Sequence, residues 1–203
     1  MKQVIPLKLA ILGSGKGFNA RALIEASKQS KLYYETVLLI TDIPHAGILR
    51  LGEEFQIPAY FFSPGPFKTK FAPEREQELV TLLREAKVDF IALAGFMRVI
   101  KEPLLAAFPK RILNIHPSLL PHFPGREAWE QAIDAGARES GCTVHLVDHG
   151  IDTGEILGQE SVPIFQNDTA NTLHLRIQEA EHRLYPCIVN TVAKTLLQKK
   201  SHH

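Results

Sequence analysis

Asn114 and His116 stand two residues apart at the end of Arg111 to His116, an apolar run that reads as a short buried strand. Side chains alternate across a strand, so the two share a face. A side-chain amide can donate to a developing oxyanion, and an imidazole can give or take a proton near neutral pH. Pro117, Pro121 and Pro124 follow at once and forbid continuation of helix or ladder. An isolated histidine at a strand end is more often a satisfied structural residue. The stiff turn after this one suits a site better than a core. A carboxylate is offered by His149-Gly150-Ile151-Asp152-Thr153-Gly154. The plain alternative is a hairpin turn, since glycine and aspartate make turns. Placed against the same crevice, however, Asp152 can orient the His116 ring and favour its charged form. No serine or cysteine stands convincingly as a nucleophile here. His145 and His149 form no metal site with a neighbouring ligand pair, so no metal is expected.

Gly15-Lys16-Gly17-Phe18-Asn19-Ala20 lies between an apolar run and a helical pattern. A glycine turn entering a helix exposes backbone N–H groups that suit a phosphate. The same six residues satisfy the dinucleotide pattern, and Asp42 lies near the distance expected of a ribose-binding acid. A simple phosphate, a dinucleotide and a bare tight turn all stay open on spacing alone. The nucleoside-triphosphate loop is excluded, because no Gly-Lys-Ser/Thr occurs. Near the end of the chain, Gln178 and Glu181 are three apart on a predicted helix and share a side. They reach a ligand amine if that side faces the crevice, and otherwise form a solvated face.

These groups must be positioned by a scaffold, and the apolar pattern supplies one. Strands are predicted at Leu7 to Leu12, Thr36 to Thr41, Ile57 to Phe62, Asp89 to Ala94 and 111 to 116. Helical patterns alternate with them at 46–55, Pro73 to Ala86 and 102–107, with a surface excursion over 63–73. Strands apolar on both faces alternating with helices predict an α/β fold, a mainly parallel sheet covered on both sides. A helix near 126–136 follows. Thr143 to Val147 and Ile156 to Ile164 then predict an antiparallel hairpin, and Thr169 to about Gln198 a long last helix, capped by Asp168 or Thr169 and kinked or split by Pro186. At 203 residues with no linker or repeat, one domain is expected. A net charge of +1 gives no field favouring nucleic acid or an anionic membrane. Cys142 and Cys187 are expected as buried thiols rather than a disulfide. No apolar run reaches membrane length and Met1 to Pro6 lacks a signal-peptide core, so a cytoplasmic protein is expected. The closing His202-His203 pair is read as a tag remnant rather than a metal site.

Ser14 to Asn19, Leu93-Ala94-Gly95-Phe96-Met97-Arg98, Asn114 to Pro121, Asp148 to Gly154 and Gln178 to Pro186 occur in this order. In these motifs the sequence resembles the phosphoribosylglycinamide formyltransferases of the formyltransferase superfamily, over roughly residues 7 to 197. The resemblance implies a Rossmann-like formyltransferase fold. It also implies transfer of the formyl group of 10-formyltetrahydrofolate, as co-substrate, to the primary amine of 5′-phosphoribosylglycinamide in purine biosynthesis. Carried over by position, Asn114, His116 and Asp152 are the catalytic trio. Gly15, Lys16, Gly17, Phe18 and Asn19 hold the substrate phosphate, and Gln178 and Glu181 contact the amine and ribose. The folate lies along Met97, Arg98, Val99 and Ile100 and along His149, Gly150, Ile151 and Asp152, next to Asn114.

The implied halves are about 7–100 for the phosphoribosyl end and about 101–200 for catalysis and folate. Leu120-Pro121 is implied to be cis. The sequence departs from the commonest family form at Lys16 and Phe18, where Asn and Ser are usual. Relatives acting on tRNA carry a further carboxyl-terminal domain, and folate deformylases an amino-terminal one, for which this length leaves no room. Small-molecule substrates are implied, with no nucleic acid or membrane partner, and either a monomer or a homodimer. A nucleotide-binding domain using the glycine turn and Asp42 for NAD is the alternative.

Overall fold

A computed structural model of the chain describes residues 5–29 and 32–200. The proposed signal-free start at Met1 to Val4 and the His202-His203 pair lie outside the described residues. Among the described residues seven strands form one sheet: β1 (Leu7–Leu12), β2 (Tyr34–Thr41), β3 (Ala59–Phe61), β4 (Phe90–Leu93), β5 (Ile112–His116), β6 (Glu139–Leu146) and β7 (Ile156–Pro163). Their order is β3-β2-β1-β4-β5-β6-β7. The first five strands pair in parallel, whereas β5–β6 and β6–β7 are antiparallel. The strand order reverses between β1 and β4. In open α/β sheets the crevice at such a reversal is where ligands sit, outside the carboxyl ends of the strands.

Among the described residues six helices cover the two faces. Leu9, Ile11 and Leu39 point into a core shared with α1 (Phe18–Ser27), α2 (Gly47–Phe55), α5 (Ala128–Asp134) and α6 (Ala170–Lys200). Their strand neighbours Ala10, Leu12, Leu38 and Ile40 point the other way, against α3 (Pro73–Glu85) and α4 (Leu104–Ala107). Both sets are close to fully buried, which is why the strands read as continuous apolar runs rather than alternating ones.

Several expectations shift. β3 keeps only three of the six residues predicted for it, at the sheet edge. β6 begins at Glu139, four residues before the expected Thr143; the stretch Glu139-Ser140-Gly141-Cys142 carries little apolar signal, yet pairs with β7 from Glu139↔Pro163 onward. α6 runs 31 residues through Pro186 without being split. The proline costs about 3 kcal/mol in a helix interior. Leu173, Ile177, Ala180, Tyr185, Val189 and Ala193 are buried on both sides of it, and their packing outweighs that cost. The amino-terminal cap of α6 is Thr169, whose Oγ1 accepts from the Thr172 N–H at 3.3 Å. Cys142 is buried as expected, with burial pushing its thiol up to about 12, but Cys187 is exposed on α6 and is no core thiol. Leu120-Pro121 is cis, as is Glu102-Pro103.

Candidate active site

The reversal between β1 and β4 brings two loops together. Ser14 N–H donates to the Gly95 carbonyl at 3.1 Å, so the turn after β1 lies along the stretch after β4. Gly17 holds φ 88 just before α1, and an added Cβ would lie 3.2 Å from Ile48 Cα, so glycine alone fits. The first turn of α1 carries no acidic residue of its own. Above them Asn19 Nδ2 donates to Glu181 Oε2 at 2.8 Å, while Asn19 Oδ1 is buried with no partner. Burial raises the Glu181 carboxyl to about 7, against the hydrogen bond from Asn19, which favours the ionised form.

The second group sits where β5 meets β6. Asn114 pairs with His145 across the two strands, and Asn114 Nδ2 lies 3.1 Å from His145 Nε2. His145 Nδ1 faces the Leu146 carbonyl at 2.9 Å. With a proton on Nδ1 alone, Nε2 accepts from the Asn114 amide; Asp152 Oδ1 stands 3.6 Å from the same nitrogen, within ion-pair reach of a charged ring. His116 is buried with acceptors at both ring nitrogens: Nε2 is 2.9 Å from the Phe123 carbonyl and Nδ1 is 3.3 Å from Asp152 Oδ2. Two acceptors suit a doubly protonated ring.

Asp152 reaches in from the loop after β6. Its backbone is left-handed at φ 55, a conformation aspartate tolerates better than most residues. The loop is pinned by Asp148 Oδ1, which accepts from the Gly150 N–H and the Thr153 hydroxyl. It closes where a Cβ on Gly154 would lie 1.7 Å from the Leu146 carbonyl oxygen, again a place only glycine fits. Asp152 Oδ2 also accepts from the Gly125 N–H at 2.9 Å. Burial pushes the Asp152 carboxyl up. The hydrogen bonds from His145 and Gly125 and the charges of His116 and His145 outweigh it and hold the group below the usual carboxylate range.

One cleft of about 680 Å³ joins these groups. Gly15, Lys16, Gly17, Phe18, Asn19, Met97, Arg98, Val99, Ile100, Asn114, His116, Gly150, Ile151, Asp152, Gln178 and Glu181 all line it. The side chain of His149 stands apart from this lining, 75% exposed with Nε2 3.7 Å from Glu102 Oε1. Asp42 is no ribose acid. Its carboxylate is buried and already engaged by the Ser14 hydroxyl and the Arg98 guanidinium, which removes the main support for an NAD site.

Sequence reasoning set His145 aside, because the β5–β6 pairing that places it opposite Asn114 was not foreseen. It also missed Trp129, which stacks on His174 with centroids 3.7 Å apart and lines the cleft. Lys68 and Thr69, in the surface excursion over 63–73, line it too. Among the described residues no group of three or more His, Cys, Asp and Glu is placed to hold a metal ion.

Residues 7–189 match the family model described as formyl transferase. The chain belongs to the formyl transferase family. Phosphoribosylglycinamide formyltransferase of Bacillus subtilis is 42% identical over 182 residues, which cover 90% of this chain and 92% of that one. The trifunctional purine biosynthetic protein adenosine-3 of Drosophila pseudoobscura pseudoobscura is 44% identical over 201 residues, 96% of this chain but only 14% of that much longer one. Among solved structures, glycinamide ribonucleotide transformylase 1 from Symbiobacterium toebii superposes with a TM-score of 0.89 at 37% identity, covering 94% of this chain and 89% of that one. In this formyl transferase the glycine turn, the trio and the stretch 97–100 thus open onto one cleft. No helix among the described residues is long and apolar enough to cross a membrane.

Proposed function

We propose that this formyl transferase moves the formyl group of 10-formyltetrahydrofolate to the primary amine of 5′-phosphoribosylglycinamide, a step of purine biosynthesis. The observation that carries the assignment is the meeting of Asn114, His116 and Asp152, with Asp152 Oδ2 3.3 Å from His116 Nδ1, in the cleft that the glycine turn also lines. The turn takes the phosphate on the amide groups of Gly15, Lys16 and Gly17, with the Lys16 ammonium adding charge that the usual Asn lacks. Phe18 offers no hydroxyl there. Gln178 and Glu181 take the ribose and amine end, and the folate lies against Met97 to Ile100 and Gly150 to Asp152. The phosphoribosyl half, about 7–100, and the catalytic and folate half, about 101–200, thus each lend residues to the other's ligand. The substrates are water-soluble anions, and we place the reaction in the cytoplasm.

In the transfer, the amine nitrogen attacks the formyl carbon and the carbonyl oxygen gains negative charge. Asn114 and His116 donate to that oxygen, each donor being worth about 3–4 kcal/mol at comparable oxyanion sites. The contact between His116 Nδ1 and Asp152 is long for a charge-assisted bond, so the N–H can be shared with an arriving oxygen. Asp152, ionised at neutral pH, accepts the proton lost by the amine, directly or through a water. Collapse of the tetrahedral intermediate breaks the bond from carbon to the folate nitrogen, which takes the proton back from Asp152 or the water and leaves as tetrahydrofolate. The test is a formyl-transfer assay with purified protein, both substrates and detection of tetrahydrofolate. Release only when the amine ribonucleotide is present supports the assignment; no release, or release without it, refutes it.

A further inference from the structure

A buried carboxylate that this chemistry leaves unused stands between the two ligand regions. Asp42 directly follows β2, and its side chain is 1% exposed. Its Oδ1 accepts from Ser14 Oγ at 2.5 Å, and its Oδ2 accepts from Arg98 Nε at 2.6 Å. Ser14 Oγ in turn accepts from the Met97 N–H at 2.9 Å. Arg98 also donates through Nη1 to the Phe67 carbonyl at 2.6 Å, fastening the loop before α3 to the same hub.

The two oxygens of one carboxylate therefore anchor the glycine turn and the stretch after β4. A hydroxyl that donates to one partner and accepts from another cannot rotate without losing a bond. Charge-assisted bonds to a carboxylate are short and directional. A displacement of the turn is thus passed to the Met97 amide and to Arg98 rather than absorbed. Core packing does not require such a hub, since a buried ion pair is often no more stable than apolar residues of the same volume.

We propose that Asp42 is a positioning residue that couples the two halves of the cleft, so that a ligand on the glycine turn and a folate against 97–100 each favour the other's binding. The proposal rests on the ligand assignment made above. Coupling of this kind is reciprocal: either ligand, bound first, raises the affinity for the second by the same factor.

Calorimetric titration of 5′-phosphoribosylglycinamide into the full chain, with and without saturating tetrahydrofolate, reads the factor directly and allows no turnover. For the unaltered protein a ratio of dissociation constants of about 5–150 is expected, and the same ratio when the order of addition is reversed. In Asp42→Asn the ratio should fall to near one while each ligand still binds alone. Ser14→Ala deletes a single hydroxyl, leaves the Asp42–Arg98 pair in place, and should also lower the ratio, so the outcome stands even if Asp42→Asn fails to fold. A ratio of one in the unaltered protein, or an unchanged ratio in Ser14→Ala, overturns the proposal. Failure of the unaltered protein to bind either ligand alone overturns the ligand assignment itself, and the coupling with it.

Discussion

Replacing Asp152 by asparagine keeps the side chain's shape and an acceptor for the Gly125 N–H, and removes one negative charge. That charge lies 3.3 Å from His116 Nδ1 and 3.6 Å from His145 Nε2. Unit charges about 3.3 Å apart attract by roughly 5 kcal/mol at an effective dielectric constant near 20. If half of this favours the charged ring in the transition state, its loss costs roughly 10²-fold in turnover. Removing the proton acceptor adds to that, and the whole falls in the range of about 10² to 10⁴ typical of a general base.

The same substitution reads out in stability. The folded carboxyl lies below its usual range, so its stabilising contribution is present above the unfolded value of about 4 and is lost as pH falls through the lower folded value. Asp152→Asn should therefore melt below the unaltered protein at pH 7, and the gap should close as the solution is acidified. Single-turnover formyl transfer under saturating substrates, with thermal melts across acid and neutral pH, checks both. Turnover within about threefold of the unaltered enzyme would remove Asp152 from proton transfer. A melting gap that does not change with pH would refute the electrostatic account.

Lys16→Ala should weaken the ribonucleotide several-fold and leave the folate unchanged, with the difference shrinking as salt is raised; equal loss for both ligands in a binding titration would count against a phosphate cradle. Glu181, whose carboxyl is raised to about 7 by burial, stabilises the fold fully below its unfolded value and loses that contribution as pH rises through 7. Glu181→Gln should thus gain roughly 2–4 kcal/mol relative to the unaltered protein between pH 4 and pH 8, read by denaturant melts, while its affinity for the amine substrate drops. Tyr185 shares its buried hydroxyl proton between the Leu93 and Leu113 carbonyls, bridging β4 and β5. Tyr185→Phe should cost about 1–3 kcal/mol in chemical denaturation, and a change within a few tenths would show that the span contributes nothing.

The parallel half of the sheet was legible because its strands are buried on both faces and announce themselves as apolar runs ending in glycine or polar residues. Asn114 and His116 could be placed on one face by parity, and Asp152 by its turn. What the sequence concealed was pairing. The antiparallel step from β5 to β6 sets His145 against Asn114, and nothing local in either strand encodes that register. Asp42 was misread for a related reason. Its distance from the glycine turn along the chain fits a ribose acid, whereas its partners Ser14 and Arg98 come from the segments after β1 and β4 and become neighbours only at the strand-order reversal. Pro186 does not split the last helix as it could have, because its local cost is visible in sequence and the packing of α6 against β6 and β7 is not.

Trp129 gives the molecule an internal gauge. It is the single tryptophan of the chain, and it lies flat on His174 at the rim where Gln178 and Glu181 face the cleft. Every photon of indole emission therefore originates at one address, beside an imidazole and on the wall of the cleft. Occupancy of that end of the enzyme can be followed by light alone, with no label attached.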